Sequence, residues 1–180
     1  MKTKQEIMKE SFELLKEKGY DNVSIEEICK SCEINKTIFY TLIESKENIL
    51  SFHYEQVFEQ LMDIVQTHKK NMELLWTILI FPIEKNMKLG PELYSKYIIR
   101  HFHGQTLTTL LKEPVRMVGI EIIQKAQKRG EIKNQSDPSH LYDACRNLSG
   151  SYAIRWCINN GNFDLIASYK KALEHILYLQ

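Results

Sequence analysis

An all-α fold is predicted, and three observations predict it. The 180 residues include only 7 Gly and 4 Pro, too little turn chemistry for a strand-rich domain. Apolar residues recur at helical spacing along most of the chain, beginning with Ile7, Leu14 and Leu15. The segment from Ser24 to Ile49 reads as two short helices with a tight break between them, followed by the start of another. That is the layout of a helix-turn-helix, whose second helix enters the DNA major groove.

Helix one is predicted over Thr3 to Lys18, with Ile7, Ser11, Leu14 and Leu15 on one stripe and Gly19 as its stop. Ser24-x-x-Glu27 is a capping box that opens helix two, and Ile25, Ile28, Cys29 and Cys32 make its buried face. Glu33-Ile34-Asn35 is the break, and Asn35 is placed to cap helix three, Lys36 to about Leu42, with Phe39 inward. Ser45 caps a fourth helix from Lys46 to about Lys70. The next runs from Glu73 to about Lys88, kinked or shortened by Pro82. Gly90-Pro91 opens Glu92 to about His103, and a short turn follows around Leu107 to Leu111. Pro114 to Arg129 is closed by Gly130. Asp137-Pro138 caps a long helix to about Asn159, and Phe163 to Leu179 is the last. The total is about nine helices, three of them short.

The 43% hydrophobic and 26% charged shares are those of an ordinary folded globular chain. The net charge of +1 gives no general support to nucleic-acid binding. The first 47 residues hold eight Lys against ten Asp and Glu, so a DNA-binding surface there must segregate its charge by face. Met1 to Glu6 runs straight into the first helix without an apolar leader segment. The apolar run Leu74 to Phe81 is broken by Thr77, stopped by Pro82, and too short to span a bilayer. The expectation is a soluble cytoplasmic protein with no membrane partner and with reduced cysteines.

Cys29-x-x-Cys32 resembles a metal or redox pair, but zinc needs a second pair or histidines at ligand spacing, and the sequence offers none. Both cysteines fall on the apolar stripe of helix two and read as buried thiols, as do Cys145 and Cys157. In a helix, His101 and His103 diverge by about 200° and make no metal pair. There is no phosphate loop and no nucleophile–base set, so neither a cofactor nor an enzyme activity is expected.

Gly19-Tyr20, Ser24-Ile25-Glu26-Glu27-Ile28, Phe39-Tyr40 and Ser45-Lys46-Glu47-Asn48-Ile49-Leu50 stand in the order and spacing of one known pattern. On these residues the chain resembles the TetR family of bacterial transcriptional regulators, with specific motifs over about residues 4 to 52. Glu33 stands where the family's turn has Gly, and Ile38 where it has Thr. The resemblance implies residues 1–47 as a helix-turn-helix DNA-binding domain and 48–180 as a helical effector-binding and dimerisation domain. It implies a homodimer on a palindromic double-stranded DNA operator, released by a small-molecule effector. The acidic balance, Glu33 and Ile38 leave open a TetR-like protein that has lost operator binding and serves as a protein-interaction module.

Tyr40 and Lys46 match family positions that touch the DNA backbone, and a phenol and an ammonium suit phosphate oxygens. Ser24 adds a helix N-terminus, while Asn35, Lys36, Thr37 and Thr41 lie on or beside the outward side of helix three, where Lys reads guanine and Thr packs on thymine. In the larger half, Phe58, Met62, Trp76, Tyr97, Phe102 and Trp156 are candidates for an apolar or aromatic effector site, with Arg100 and His103 to orient a polar end. The plainer reading makes the aromatics ordinary core. Leu141, Cys145, Leu148 and Tyr152, then Leu165, Tyr169, Leu173 and Ile176, form apolar stripes on the last two long helices. They are candidates for an isologous four-helix dimer interface, or else they face their own subunit.

Overall fold

The computed structural model describes the backbone of residues 2–103 and 107–179, and the side chains of these residues outside 101–112. Among the described residues there are nine α-helices and one 3-10 turn, with no strand. They are α1 (Lys4–Lys18), α2 (Ile25–Ser31), α3 (Lys36–Leu42), a 3-10 turn (Lys46–Asn48), α4 (Ile49–Thr67), α5 (Met72–Met87), α6 (Gly90–His103), α7 (Leu107–Lys128), α8 (Pro138–Ile158) and α9 (Leu165–Leu177).

Local chemistry sets most of these ends. α1 and α2 open on capping boxes, Thr3 with Glu6 and Ser24 with Glu27, which satisfy backbone N–H groups that a helix start leaves unpaired. Asn35 caps α3 by accepting from the Ile38 N–H at 2.8 Å. Asp137 and Asp164 do the same for α8 and α9. Ser45 caps a tight 3-10 turn, where the sequence predicted a continuous helix from Lys46.

Pro82 is carried inside α5, and Pro114 inside α7. The sequence predicted a separate turn over 107–111 and a new helix at Pro114. The structure instead runs one helix through. A proline removes one hydrogen bond locally, and here the buried Val115, Ile122, Ile123 and Ala126 hold α7 against its neighbours on the far side of the break.

Two hydrophobic cores result. The first gathers Ile7, Phe12, Leu15, Ile28 and Phe39 around the helix-turn-helix, takes in Ile49 and Leu50 from the first turn of α4, and reaches Leu93 on α6. The second joins α4, α5, α6, α7, α8 and α9 through Leu61, Leu75, Ile78, Tyr94, Ile122, Cys145 and Tyr169. Three contacts from α6 cross the joint. Leu93 enters the first core, Lys96 pairs with Asp21 at 2.8 Å, and Arg100 Nη2 donates to Asn48 Oδ1 at 2.7 Å.

The four cysteines are free thiols; Cys29, Cys32 and Cys145 are buried and Cys157 is half-buried. Burial pushes Cys145 up to about 12 and Cys157 to about 11, so both are inert as nucleophiles near neutrality. Among the described residues, no helix is long and apolar enough to cross a membrane.

Candidate functional site

The turn between α2 and α3 is closed by backbone bonds from Cys32 N to Ile28 O at 2.9 Å and from Ile34 N to Cys29 O at 2.9 Å. Glu33 sits at its corner with φ of 57°, in the left-handed region that favours glycine. The turn therefore has the backbone shape that glycine would take freely, held with a carboxylate on it. Phe39 anchors α3 from below, fully buried, and its ring meets Tyr40 edge-on at 5.4 Å.

This arrangement leaves Asn35, Lys36, Thr37, Tyr40 and Thr41 exposed, and Tyr40 is 50% exposed despite its size. The hydroxyl of Thr41 donates back to Thr37 O at 2.8 Å. Lys36 Nζ pairs with Glu26 on α2, both side chains exposed. Ser24 is exposed but its hydroxyl is used in the capping box. Lys46 folds back: its Nζ donates to Tyr20 O and lies 4.3 Å from the Tyr20 ring centroid. Burial holds its pKa below the usual lysine value. The structure thus brings the α3 residues onto one outward surface and turns Lys46 inward to the protein.

Behind the helix-turn-helix, α4 to α8 line a partly open cavity of about 690 Å³, within the range of small-molecule sites. Val57, Phe58, Leu61, Ile78 and Ile83 make its apolar wall, and Tyr54, Tyr94, Tyr97 and Tyr142 bring phenols to it. Burial pushes Tyr54 and Tyr94 up to about 12, so these phenols stay neutral hydrogen-bonding groups. Arg146 faces the same phenols from α8, and among the described residues no carboxylate is within ion-pair distance of it. Arg116 at the rim is already paired, donating to both carboxylate oxygens of Asp143 at 2.9 Å.

Of the effector residues read from sequence, Phe58 and Tyr97 line this cavity. Met62 and Trp76 pack half-buried against the second core, and Trp156 is buried beside Tyr94 with ring centroids 6.2 Å apart. Arg100 points away to Asn48, as described above. The side chains of Phe102 and His103 lie outside the described residues. Sequence reasoning missed Asn86, Tyr142 and Arg146. The signal for Asn86 is a polar group on a buried helical face: Ile78, Pro82, Ile83 and Asn86 follow one stripe of α5.

Five of the eight residues of the dimer stripe face their own subunit. Leu141, Cys145, Leu165, Tyr169 and Leu173 are buried in their own subunit, and the Tyr169 hydroxyl donates to Cys145 O at 2.8 Å. Leu148, Tyr152 and Ile176 are half-buried at the edges of that core. An apolar stripe is first consumed by the core its own helix helps to build. The apolar side chains left outward near this end are Ile154 and Ile158 on α8 and Tyr178 after α9, with Ile158 75% exposed.

Residues 7–51 match the family described as bacterial regulatory proteins, tetR family. Over these residues the chain is similar to the TetR family. A relative in Bacillus subtilis (strain 168), described as an uncharacterized HTH-type transcriptional regulator YuxN, is 35% identical over 69 residues. That match spans 36% of this chain and 24% of the relative's length. Thermus thermophilus FadR, a TetR-family transcriptional repressor solved with lauroyl-CoA, superposes with a TM-score of 0.70 at 17% identity, over 97% of this chain and 93% of that one. AibR, solved with isovaleryl coenzyme A and operator DNA, gives a TM-score of 0.61 at 19% identity, over 98% and 99%. At such identities the likeness to these two is one of fold.

Proposed function

We propose that this protein is a ligand-released repressor that binds a palindromic operator as a homodimer. Its helix-turn-helix is assigned to residues 1–47, and residues 48–180 are assigned to effector binding and dimerisation. The observation that carries the reading is α3 itself. Its buried side is fixed by Phe39 while Lys36, Thr37 and Tyr40 stand outward on one exposed face.

Tyr40 and Lys36 are assigned to phosphate contact and Thr37 to base contact, with Asn35, Thr41 and Ser24 at the margins. The Lys36–Glu26 pair is exposed to solvent, so a phosphate displaces Glu26 at small cost. Lys46 is assigned to holding Tyr20 in place. In a two-fold dimer the two copies of α3 must lie about 34–36 Å apart, or a multiple of that, to read successive major grooves. Ile154, Ile158 and Tyr178 are assigned to the dimer contact, because they are the outward apolar groups on and beside α8 and α9.

The cavity is assigned to an amphiphilic effector with an aliphatic chain and an anionic or strongly polar end. Its apolar wall suits the chain, and Arg146 suits the polar end. Two neighbours in fold hold acyl thioesters of coenzyme A, which supports acyl-CoA as the class. Effector binding then favours a dimer geometry that DNA does not accept.

The test uses the DNA upstream of the protein's own coding sequence. Wild type binds with a steep salt slope, about 0.9 per phosphate contacted, and lauroyl-CoA releases it. Tyr40→Ala with Thr37→Ala weakens binding at least tenfold at unchanged helicity. Unchanged binding by the double variant sinks the assignment of α3.

One observation favours a second reading, a protein-interaction module without an operator. Both lysines expected at the DNA are engaged within the subunit, Lys36 with Glu26 and Lys46 with Tyr20 O. A module shows no salt-dependent DNA binding at all.

A further inference from the structure

The inner stripe of α4 is apolar at Leu50, Val57 and Leu61, but it carries an imidazole at His53. That side chain is fitted on three sides. Its Nε2 donates to Asn86 Oδ1 on α5 at 2.9 Å. Its ring stacks on Phe12 of α1, with centroids 5.4 Å apart and planes 14° from parallel. The Tyr97 ring of α6 meets it edge-on at 5.7 Å.

Two of these partners, Asn86 and Tyr97, line the cavity, and the Asn86 amide also faces the Tyr94 hydroxyl there. The third, Phe12, belongs to the core of the helix-turn-helix. His53 itself is absent from the cavity wall and opens instead onto a groove between α1, α4 and the end of α5, beside Phe12 and Phe52. It therefore stands in the partition between the effector cavity and the DNA-binding unit, touching both.

The imidazole is half-buried, with Glu13, Lys16 and Lys85 along its open edge, while the Asn86 amide that holds it is buried beside the cavity. A ligand in the cavity can compete for that hydrogen bond. We propose that His53 is the relay residue of this protein: an effector that engages Asn86 or shifts Tyr97 withdraws the support of the imidazole, and the Phe12 stack passes the change to α1. His53 acts by position and touches neither effector nor DNA. The proposal rests on the reading of the cavity as an effector site.

Two measurements test it on the full-length protein, with lauroyl-CoA as the probe. In the first, calorimetry reads probe binding and fluorescence anisotropy reads release of the upstream DNA. His53→Phe fills the same space and keeps an aromatic face for Phe12, but it cannot donate to Asn86. It should bind probe and DNA within twofold of wild type, while the probe concentration for half-release rises at least tenfold. Release at the wild-type concentration overturns the relay.

The second needs no ligand. Asn86→Leu, or Asn86→Ser if leucine does not fold, should speed hydrogen exchange of the α1 amides around Phe12 at least fivefold, with α9 unchanged. Unchanged α1 rates overturn the relay. If wild type binds no probe, the acyl-CoA reading fails, and the exchange result still decides the role of His53.

Discussion

The two cores are built from the same kind of helix but are specified in different ways. In the first, the helix boundaries are set locally. Ser24 with Glu27, Asn35 with the Ile38 N–H and Ser45 with the Asn48 N–H each settle a boundary within three residues. In the second, the helices are also capped locally, by Asn71, Asp137 and Asp164, but their packing is fixed between elements far apart in sequence. Tyr169 reaches Cys145 O across 24 residues, and Asn134 Nδ2 donates to Ile176 O across 42. A short motif can encode the first kind of structure. Only the assembled helices encode the second.

The sharpest way to break this comparison is to remove one anchor from each core. Phe39 and Tyr169 are both fully buried. Truncation of either to alanine should cost about 3–5 kcal/mol. Phe39→Ala should abolish DNA binding while the larger domain keeps its probe affinity and most of its helicity. Tyr169→Ala should abolish both, because α8 and α9 lose their contact across the second core. Equal damage from the two variants in denaturation and calorimetry would show one cooperative unit instead of two.

Close packing of the second core gives the next largest effect. Gly119 on α7 lies under the Tyr142 ring of α8, where an added Cβ would overlap the ring itself. Gly119→Ala should cost about 1–3 kcal/mol from overpacking. Because Tyr142 lines the cavity, the same change should weaken probe binding. A variant as stable as wild type would mean that α7 and α8 can separate freely.

The same division explains what the sequence revealed and what it hid. Helix caps, the break at Glu33 and the outward set on α3 were legible because their partners lie within one turn. The continuation of α7 through Pro114 was not legible, since a proline's local penalty says nothing about the packing beyond it. The stripe of Leu141, Cys145, Tyr169 and Leu173 was legible as apolar, but periodicity cannot say which neighbour it meets. Lys46 was read as facing DNA because its position matched a motif; its turn toward Tyr20 depends on a loop that the motif does not describe. Asn86 and Arg146 stayed hidden for a simpler reason. A lone polar group on a helix has no meaning until the opposite wall is known.

A smaller effect sharpens the local side of the comparison. Ser24→Ala removes the acceptor for the Glu27 N–H and should cost about 1 kcal/mol, read as a lowered denaturation midpoint. The loss should fall on the first core, with hydrogen exchange in α9 unchanged. A loss shared evenly by both cores would contradict the local account.

The smallest effect comes from the joint between the two regions. Burial holds the pKa of His53 below its ordinary 6.5, opposed by its bond to Asn86. The unfolded chain therefore takes up the proton first as pH falls. Between 6.5 and the lower folded value, unfolding binds a proton, so stability declines with acidification and is retained above 6.5. Lys16 and Lys85 add to the depression, and Glu13 works against it. Thermal denaturation from pH 8 to pH 5 should show the midpoint falling below 6.5, and His53→Gln should flatten that part of the curve. A profile identical in wild type and variant would show that the fold does not disfavour the protonated imidazole, against the burial that the structure gives it.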